Sequence, residues 1–227
     1  MKSTKNRNRT ILIVDDHPLN VDSYKALLSG IVSNSKAKYL MTYDCRKTYN
    51  LLHQIKQNNE TLDFAFVDIS LPPFEEKKIY SGSDLALVIR TLFPLCKIIV
   101  ISMHKEPLWV NQIYNSIHPE GFIAKSDINY KLFPEVFESI NKNEIYYSPS
   151  IKNAQKVMIQ KNINWDNYDS KILQLIEQGI KTINLPNFIP LSLSAIEKRK
   201  SNIKKQLIME SGSDKELIDV AKNLGFL

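Results

Sequence analysis

Two hydrophobic segments in the first third of this chain end in aspartate. Residues 10–14 lead directly to Asp15 and Asp16, and residues 64–67 lead to Asp68. Short apolar, β-rich runs of this kind are typical of strands buried on both faces of a parallel sheet. A carboxylate just past such a strand lies at the carboxyl edge of the sheet, where open α/β folds bind their ligands. Because three acids at one edge repel one another, the pattern indicates a divalent metal with oxygen ligands, such as Mg²⁺.

Two further predicted strands end in residues that suit the same chemistry. Residues 97–101 lead to Ser102, and residues 121–124 lead to Lys125. If all the strands are parallel, this hydroxyl and this ammonium emerge at the same edge as the aspartates. Asp68 can then attack an electrophilic phosphorus atom as a carboxylate nucleophile. The metal and the ammonium of Lys125 stabilise charge on the transferring oxygens.

Each of these residues also has an ordinary interpretation. A single aspartate after a strand usually forms a turn or caps a helix. Ser102 alone fits a helix N-cap or a loop hydroxyl, and Lys125 alone fits a solvated surface lysine. The joint pattern favours a site, because matching residue types at four successive strand ends are rare by chance.

Helical periodicity separates the predicted strands. Apolar residues recur at helical spacing in residues 17–30, 47–58, 83–92, 107–117 and 131–140. A further strand is predicted near Lys38 to Thr42. This alternation predicts an α/β fold, a doubly wound parallel five-stranded sheet with right-handed crossovers.

The segments around the strand ends resemble the receiver domain of two-component response regulators, which has a flavodoxin-like fold. The resemblance covers about residues 9 to 145 and is carried by residues 11–18, 67–72, 101–102 and 122–126. It implies that a histidine kinase phosphorylates Asp68 and that the chain is not a turnover enzyme, whereas a phosphatase using the same nucleophile is the alternative. The implied site residues are Asp15, Asp16, Asp68 and the backbone carbonyl of Ser70 for Mg²⁺, Ser102 and Lys125 for the phosphoryl group, and Ser102 with Phe122 for the conformational switch.

The loop after Asp68 departs from the pattern of this family. It runs from Leu71 to Gly82 and is several residues longer than usual, next to the phosphorylation site. It either alters kinase docking or phosphoryl lifetime, or is an inert surface insertion, since loops tolerate extra length easily. The inert interpretation is favoured.

Composition describes a soluble globular protein with room for two domains. The chain has 227 residues, of which 43% are hydrophobic and 24% charged. No apolar stretch approaches the ~20 residues that span a bilayer, and residues 1–9 lack the apolar core of a signal peptide. Cys45 and Cys96 lack metal-binding spacing. We therefore expect a cytoplasmic protein with reduced thiols and no membrane contact.

The C-terminal third holds most of the positive charge. Residues 151–227 carry 12 basic and 8 acidic side chains, a balance of +4 out of +6 for the chain. Four helical segments are predicted there: residues 166–179, 181–189, 194–207 and 214–224. Five of the eight residues from Lys198 to Lys205 are basic, which suits a helix in a DNA major groove with flanking phosphate contacts. A solvated charged helix face is the alternative.

Residues 179–207 resemble the helix-turn-helix of LuxR/FixJ-type (NarL-type) regulators. The resemblance implies that Ser194 to Leu207 is the recognition helix. Two prolines depart from the pattern of this family. Pro186 falls within the helix that precedes the recognition helix, and Pro190 falls at the end of that preceding helix. The predicted DNA contacts are Ser194, Lys198, Arg199, Ser201, Lys204 and Lys205.

Together these features predict a phosphorylation-controlled, DNA-binding transcription regulator. Its expected partners are a histidine kinase and double-stranded DNA, and it is expected to form a homodimer when active. The alternative is a signalling adaptor whose C-terminal helices bind protein. The predicted segments are a disordered tail (1–9), the receiver domain (10–145), a linker (146–165) and the helix-turn-helix domain (166–227).

Overall fold

The computed structural model describes residues 9–31, 37–160, 163, 165–207 and 212–227. The tail predicted for residues 1–9 lies outside these residues except for Arg9, which begins the first strand. The chain divides into two compact units. The first comprises the residues up to Met103 together with Ile117–Ser150, and the second comprises His104–Ser116 together with Ile151–Leu227.

Within the described residues, the strands of the first unit form one sheet in the order β2-β1-β3-β4-β5-β6, with every neighbouring pair parallel. This confirms the predicted doubly wound parallel sheet, including the strand near Lys38 to Thr42. The predicted number of five strands is wrong by one, because a two-residue strand is too short to leave a periodic signal. The strands are β1 (Arg9–Val14), β2 (Ala37–Thr42), β3 (Phe64–Asp68), β4 (Lys97–Ser102), β5 (Gly121–Ala124) and β6 (Tyr146–Tyr147).

The helices follow the predicted periodic segments closely, except for the helix at Pro149–Gln160, which lies within the segment predicted as a linker. Their boundaries move by one or two residues where a cap decides the start; for example, the Asp44 side chain accepts a hydrogen bond from the Lys47 amide. The helices are α1 (Pro18–Ile31), α2 (Cys45–Gln57), α3 (Gly82–Leu92), α4 (Pro107–Ile117), α5 (Leu132–Asn141), α6 (Pro149–Gln160), α7 (Asn167–Glu177), α8 (Leu193–Gln206) and α9 (Asp214–Asn223).

Helices cover both faces of the sheet, which explains the continuous apolar runs of its central strands. Ile11, Leu12 and Ile13 of β1 have no exposed surface. On one face, Phe66 packs against Phe133 of α5 with ring centroids 5.8 Å apart. Burial of each large apolar side chain stabilises the fold by about 1.5–3 kcal/mol, so the carboxyl ends of these strands are held firmly in place.

The second unit has its own core, formed by α4 and the C-terminal helices. The buried members include Leu108, Trp165, Ile196 and Phe226. The helix predicted for residues 181–189 is instead a short 3₁₀ helix, Thr182–Asn187, that contains Pro186. Proline lacks a backbone N–H and its ring clashes with the preceding turn of an α-helix, which accounts for the difference.

Among the described residues, no helix combines the length and the apolar character needed to cross a lipid bilayer.

Candidate functional site

Three of the predicted site residues meet at the carboxyl edge of the sheet. The Lys125 Nζ atom lies 2.7 Å from Asp68 Oδ2 and 2.8 Å from Asp15 Oδ2. Asp15 follows β1, Asp68 ends β3 and Lys125 follows β5, so parallel strands bring together residues that lie up to 110 positions apart. Both carboxylates are buried, with exposures of 0% and 1%.

Asp15 is held by donors from the first turn of α1 and the residues just before it. The Asn20 side-chain amide lies 3.0 and 3.2 Å from the two carboxylate oxygens of Asp15, and the His17 backbone amide donates to Oδ1 at 3.0 Å. Asn20 is not recognisable as a site residue from sequence, because one asparagine in a helical segment carries no distinguishing pattern. These bonds orient Asp15 toward Lys125.

Asp16 lies beside His17 at the exposed side of the site. The His17 Nδ1 atom is 2.7 Å from Asp16 Oδ1 and 3.4 Å from Asp15 Oδ1. One ligand atom from each of Asp15, Asp16 and His17 lies within 4.8 Å of the others. The buried carboxylate of Asp15 and the partly exposed carboxylate of Asp16 form an oxygen donor set that suits Mg²⁺, which is usually bound by one or two carboxylates and keeps several of its waters. The residues present therefore fit the metal implied by the sequence.

Burial and ion pairing have opposite effects on the pKa values of the charged groups at this site. Burial raises the pKa of Asp68, and the bonds from Lys125 and from the Ser70 amide offset only part of this rise. Burial tends to lower the pKa of Lys125, but its bonds to Asp15 and Asp68 outweigh that effect and the pKa is raised. Lys125 therefore stays charged, and its single positive charge faces two buried carboxyl groups.

The remaining predicted receiver residues lie at or near the same edge. Ser102 ends β4, is 2% exposed and pairs with Ala124 of β5. Phe122 is buried within β5. The Ser70 backbone amide donates to Asp68 Oδ1 at 3.2 Å. The metal contact of the Ser70 carbonyl and the switching of Ser102 and Phe122 stay predictions.

Gly82 closes the long loop directly against the end of β3, the strand that ends in Asp68. Its amide donates to the Ile69 carbonyl at 2.9 Å. A Cβ atom at this position would lie 1.8 Å from the Asp68 carbonyl oxygen. Since the conflict is with backbone, no rotamer change relieves it, and only glycine fits between α3 and the end of β3.

The loop itself is a packed element. Phe74 and Ile79 form an antiparallel bridge around a 3₁₀ turn at Glu75–Lys77. The Phe74 ring lies against α2, 4.5 Å from Arg46 Cζ and 5.9 Å from the Tyr49 ring. The loop is therefore anchored by its own buried side chains.

A second candidate site is the outer face of α8 in the second unit. Its inner face carries the buried residues Ile196 and Ile203, and the Ser192 side chain caps its first turn. Among the six predicted DNA contacts, four side chains are exposed on the outer face. These are Ser194, Lys198, Ser201 and Lys205.

The other two predicted contacts are engaged within the unit. The Arg199 Nη1 atom lies 2.8 Å from Asp166 Oδ2 and 2.9 Å from Asp169 Oδ1, which ties α8 to the start of α7. Lys204 Nζ donates to the Gly212 carbonyl. These partners are 8 to 33 residues away in sequence, so helical periodicity alone does not reveal them.

Lys200 joins α8 to the start of α9 in the same way. Its Nζ atom lies 2.6 Å from Asp214 Oδ1 and 2.7 Å from Thr182 Oγ1. Burial opposes ionisation of Asp214, but the bonds from Lys200 and Thr182 outweigh it and lower its pKa. Arg199 and Lys200 therefore fix the orientation of α8.

Neither the models of known protein families nor the curated proteins provide a match to this chain. Among solved structures, the chain is similar to RcsB in a structure of two RcsB dimers bound to two parallel DNAs. The TM-score is 0.59 at 19% identity, over 95% of this chain and 98% of that one. It is also similar to RcsB from Salmonella enterica serovar Typhimurium bound to promoter P1flhDC with the phosphomimetic BeF3-. Here the TM-score is 0.62 at 20% identity, over 96% and 100% of the two chains.

Another solved structure of the two-component response regulator RcsB with DNA matches to the same extent, with a TM-score of 0.59 at 19% identity. Since the likeness extends over nearly the whole of each chain, it covers both the receiver-like sheet and the C-terminal helices. The resemblance predicted from sequence is thereby confirmed at the level of the fold.

Proposed function

We propose that this chain is a DNA-binding response regulator that accepts a phosphoryl group on Asp68 from a histidine kinase. The observation that carries the proposal is the position of the Lys125 ammonium, which lies within 2.8 Å of both Asp68 and Asp15 at the carboxyl edge of the sheet. This arrangement provides a buried carboxylate nucleophile next to a fixed positive charge.

Asp15, Asp16 and Asp68 are the residues that would hold Mg²⁺, together with the Ser70 carbonyl. The metal would neutralise charge on the phosphoryl oxygens and favour the ionised form of Asp68. Asp68 then attacks phosphorus, and the bond between phosphorus and the donor nitrogen breaks. Lys125 and Ser102 contact the oxygens of the transferred group.

The added phosphoryl group shifts an equilibrium between two conformations of the receiver. It brings a charge of about −2 and three strong acceptor oxygens into a buried site. We assign the response to Ser102 and Phe122, which lie on the neighbouring strands β4 and β5. In the active state the chain forms a homodimer and the helix-turn-helix domain binds DNA.

The DNA contacts are assigned to the exposed side chains of α8. Ser194, Lys198 and Ser201 are placed against the base edges, and Lys205 against phosphate. Arg199 is a positioning residue, because its guanidinium is paired with Asp166 and Asp169. The similar RcsB structures contain dimers and bound DNA, which supports a second copy of this chain and double-stranded DNA as partners.

We also propose a receiver at 10–145 and a helix-turn-helix domain at 166–227, joined by a linker at 146–165 that contains α6. It describes a cytoplasmic protein that is not a turnover enzyme.

Incubation with Mg²⁺ and phosphoramidate separates a receiver from a hydrolase. We expect a stable label of about one phosphoryl group per chain, because the carboxylate is consumed in one transfer. The label is measured by electrophoresis in a phosphate-binding gel and by intact mass. Continuous release of phosphate over many turnovers would instead support the phosphatase alternative.

The DNA contacts are tested by replacing side chains of α8 and measuring binding over a range of salt concentrations. Lys198→Ala and Ser201→Ala are expected to change the preferred sequence, since they remove contacts to base edges. Lys205→Ala is expected to weaken binding to all sequences and to reduce the salt slope by about 1, because one phosphate contact is lost.

Lys156→Ala is the matched control, because it removes the same charge from the exposed surface of α6. It should leave both the sequence preference and the salt slope unchanged. If the phosphorylated chain bound no duplex at low salt, the adaptor alternative would be supported.

A further inference from the structure

The long loop between Asp68 and Gly82 has both of its ends at the phosphoacceptor. It leaves the sheet at Ile69, and its far end returns to the same residue through the bond between the Gly82 amide and the Ile69 carbonyl. The extra residues are therefore part of the edge of the sheet at which phosphoryl transfer takes place.

The loop presents one fixed surface to solvent. Leu71, Phe74 and Ile79 are buried and hold it against the body of the unit, whereas residues 75–78 and Tyr80 are exposed. The Tyr80 amide donates to Asp84 Oδ2 at 2.8 Å, which fixes the backbone on its way into α3. A surface that is ordered before binding loses less conformational entropy when a partner binds.

Tyr80 is the exposed aromatic side chain of this surface, with 61% of its area accessible. It lies two residues before Gly82, so its Cα atom is at most ~7 Å from that of Gly82. Two other large, exposed apolar residues follow strands of the sheet at the same carboxyl edge. Leu19 is 78% exposed just after β1, and Met103 is 66% exposed just after β4.

The chemistry of this surface suits a protein partner. Glu75 and Glu76 balance Lys77 and Lys78, so the loop offers no excess of positive charge to a nucleic acid. Tyrosine and methionine are enriched at protein interfaces, where buried tyrosines often dominate the binding energy. A phosphoryl donor must bring phosphorus within bonding distance of Asp68, so the protein surface around the donor covers the surrounding edge.

We infer that residues 71–80 form part of the docking surface for the phosphohistidine-bearing domain of the donor kinase, with Tyr80 as the main contact. This inference rests on the function proposed above. In the transfer, a bond forms between an Asp68 oxygen and phosphorus while the phosphorus–nitrogen bond of phosphohistidine breaks. The electron pair of the broken bond returns to the imidazole nitrogen, which takes up a proton from water.

The test compares two phosphodonors on the full chain carrying Tyr80→Ala. Phosphoramidate is too small to use a docking surface. The second donor is the autophosphorylated cytoplasmic portion of a histidine kinase from the source organism, chosen as the one that phosphorylates the unmodified chain fastest. We expect the rate constant of transfer from the kinase to fall about tenfold or more, as for a central interface tyrosine. Labelling by phosphoramidate should stay within about twofold of the unmodified chain, because the site itself is intact.

Two control variants test whether the effect is specific to the Tyr80 ring. Tyr80→Phe keeps the ring and should retain most of the transfer from the kinase. Leu95→Ala removes a side chain that is 91% exposed before the start of β4, at the opposite edge of the sheet, and should change neither rate. Thermal unfolding followed by circular dichroism checks that the variants are folded.

Equal transfer from the kinase to Tyr80→Ala and to the unmodified chain would overturn the inference. So would a changed lifetime of the phosphoryl group with unchanged transfer, because the loop would then act on hydrolysis. Absence of phosphoramidate labelling in the unmodified chain would overturn the proposed function as well, and this outcome is distinct from the other two.

Discussion

Asp68→Asn is expected to abolish phosphoryl uptake while leaving the protein folded. The amide is a poor nucleophile, so neither phosphoramidate nor a phosphorylated kinase can transfer its group to this position. The fold should persist because Lys125 keeps its ion pair with Asp15, at 2.8 Å. The expected result is loss of the label together with an unfolding temperature close to that of the unmodified chain.

Asp22→Asn is the matched control for this substitution. Asp22 lies on α1 with an exposed side chain, so its replacement also removes one carboxylate but leaves the site intact. It should be labelled at the normal rate. Undiminished labelling of Asp68→Asn would refute the assignment of the phosphoacceptor, and labelling at another residue would be located by peptide mass spectrometry.

Gly82→Ala is expected to destabilise the first unit more than any exposed substitution. The added Cβ would lie 1.8 Å from the Asp68 carbonyl oxygen, 2.8 Å from the Asp68 carbonyl carbon and 2.9 Å from Ile69 Cα. All three are backbone atoms, so either β3 or the start of α3 must move. We expect a loss of about 3 kcal/mol in the free energy of unfolding, at the upper end of the range for overpacked positions.

The measurement is urea unfolding followed by far-ultraviolet circular dichroism, with Gly30→Ala as the control. Gly30 lies in α1, and apart from the neighbouring helix backbone no atom lies within 4 Å of the position that an added Cβ would take, so alanine there should stabilise the helix by about 0.5–1 kcal/mol. Since β3 ends in Asp68, the proposed phosphoacceptor, Gly82→Ala should also slow labelling by phosphoramidate. An unchanged unfolding midpoint would contradict this prediction, because it would show that α3 and the end of β3 leave room for an alanine side chain.

Much of the candidate site followed from sequence because of one geometric rule. Parallel strands end at the same edge, so Asp15, Asp68, Ser102 and Lys125 could be placed together from the positions at which four apolar runs stop. These runs were easy to recognise because helices cover both faces of the sheet. The fold class and most of the helices followed from the same periodic patterns.

The short or irregular elements were not predictable in this way. The two residues of β6 are too few to show a period, and Pro186 turned a predicted helix into a 3₁₀ turn. Residues 71–80 of the long loop contain three buried side chains at irregular spacing, of which Phe74 packs against α2. Such local structure depends on contacts with neighbouring elements more than on any repeat in the sequence.

By itself, the sequence determined which chemical groups reach the edge of the sheet and which face of α8 is charged, because both depend on periodicity and strand direction. Only the tertiary structure decided how those charges are used. It placed the Lys125 ammonium between Asp15 and Asp68, and it paired Arg199 with Asp166 and Asp169 instead of leaving it open to DNA. The reason is electrostatic, since an ion pair depends on distances of about 3–4 Å between side chains, and residues that are far apart in the chain acquire such distances only when the chain folds.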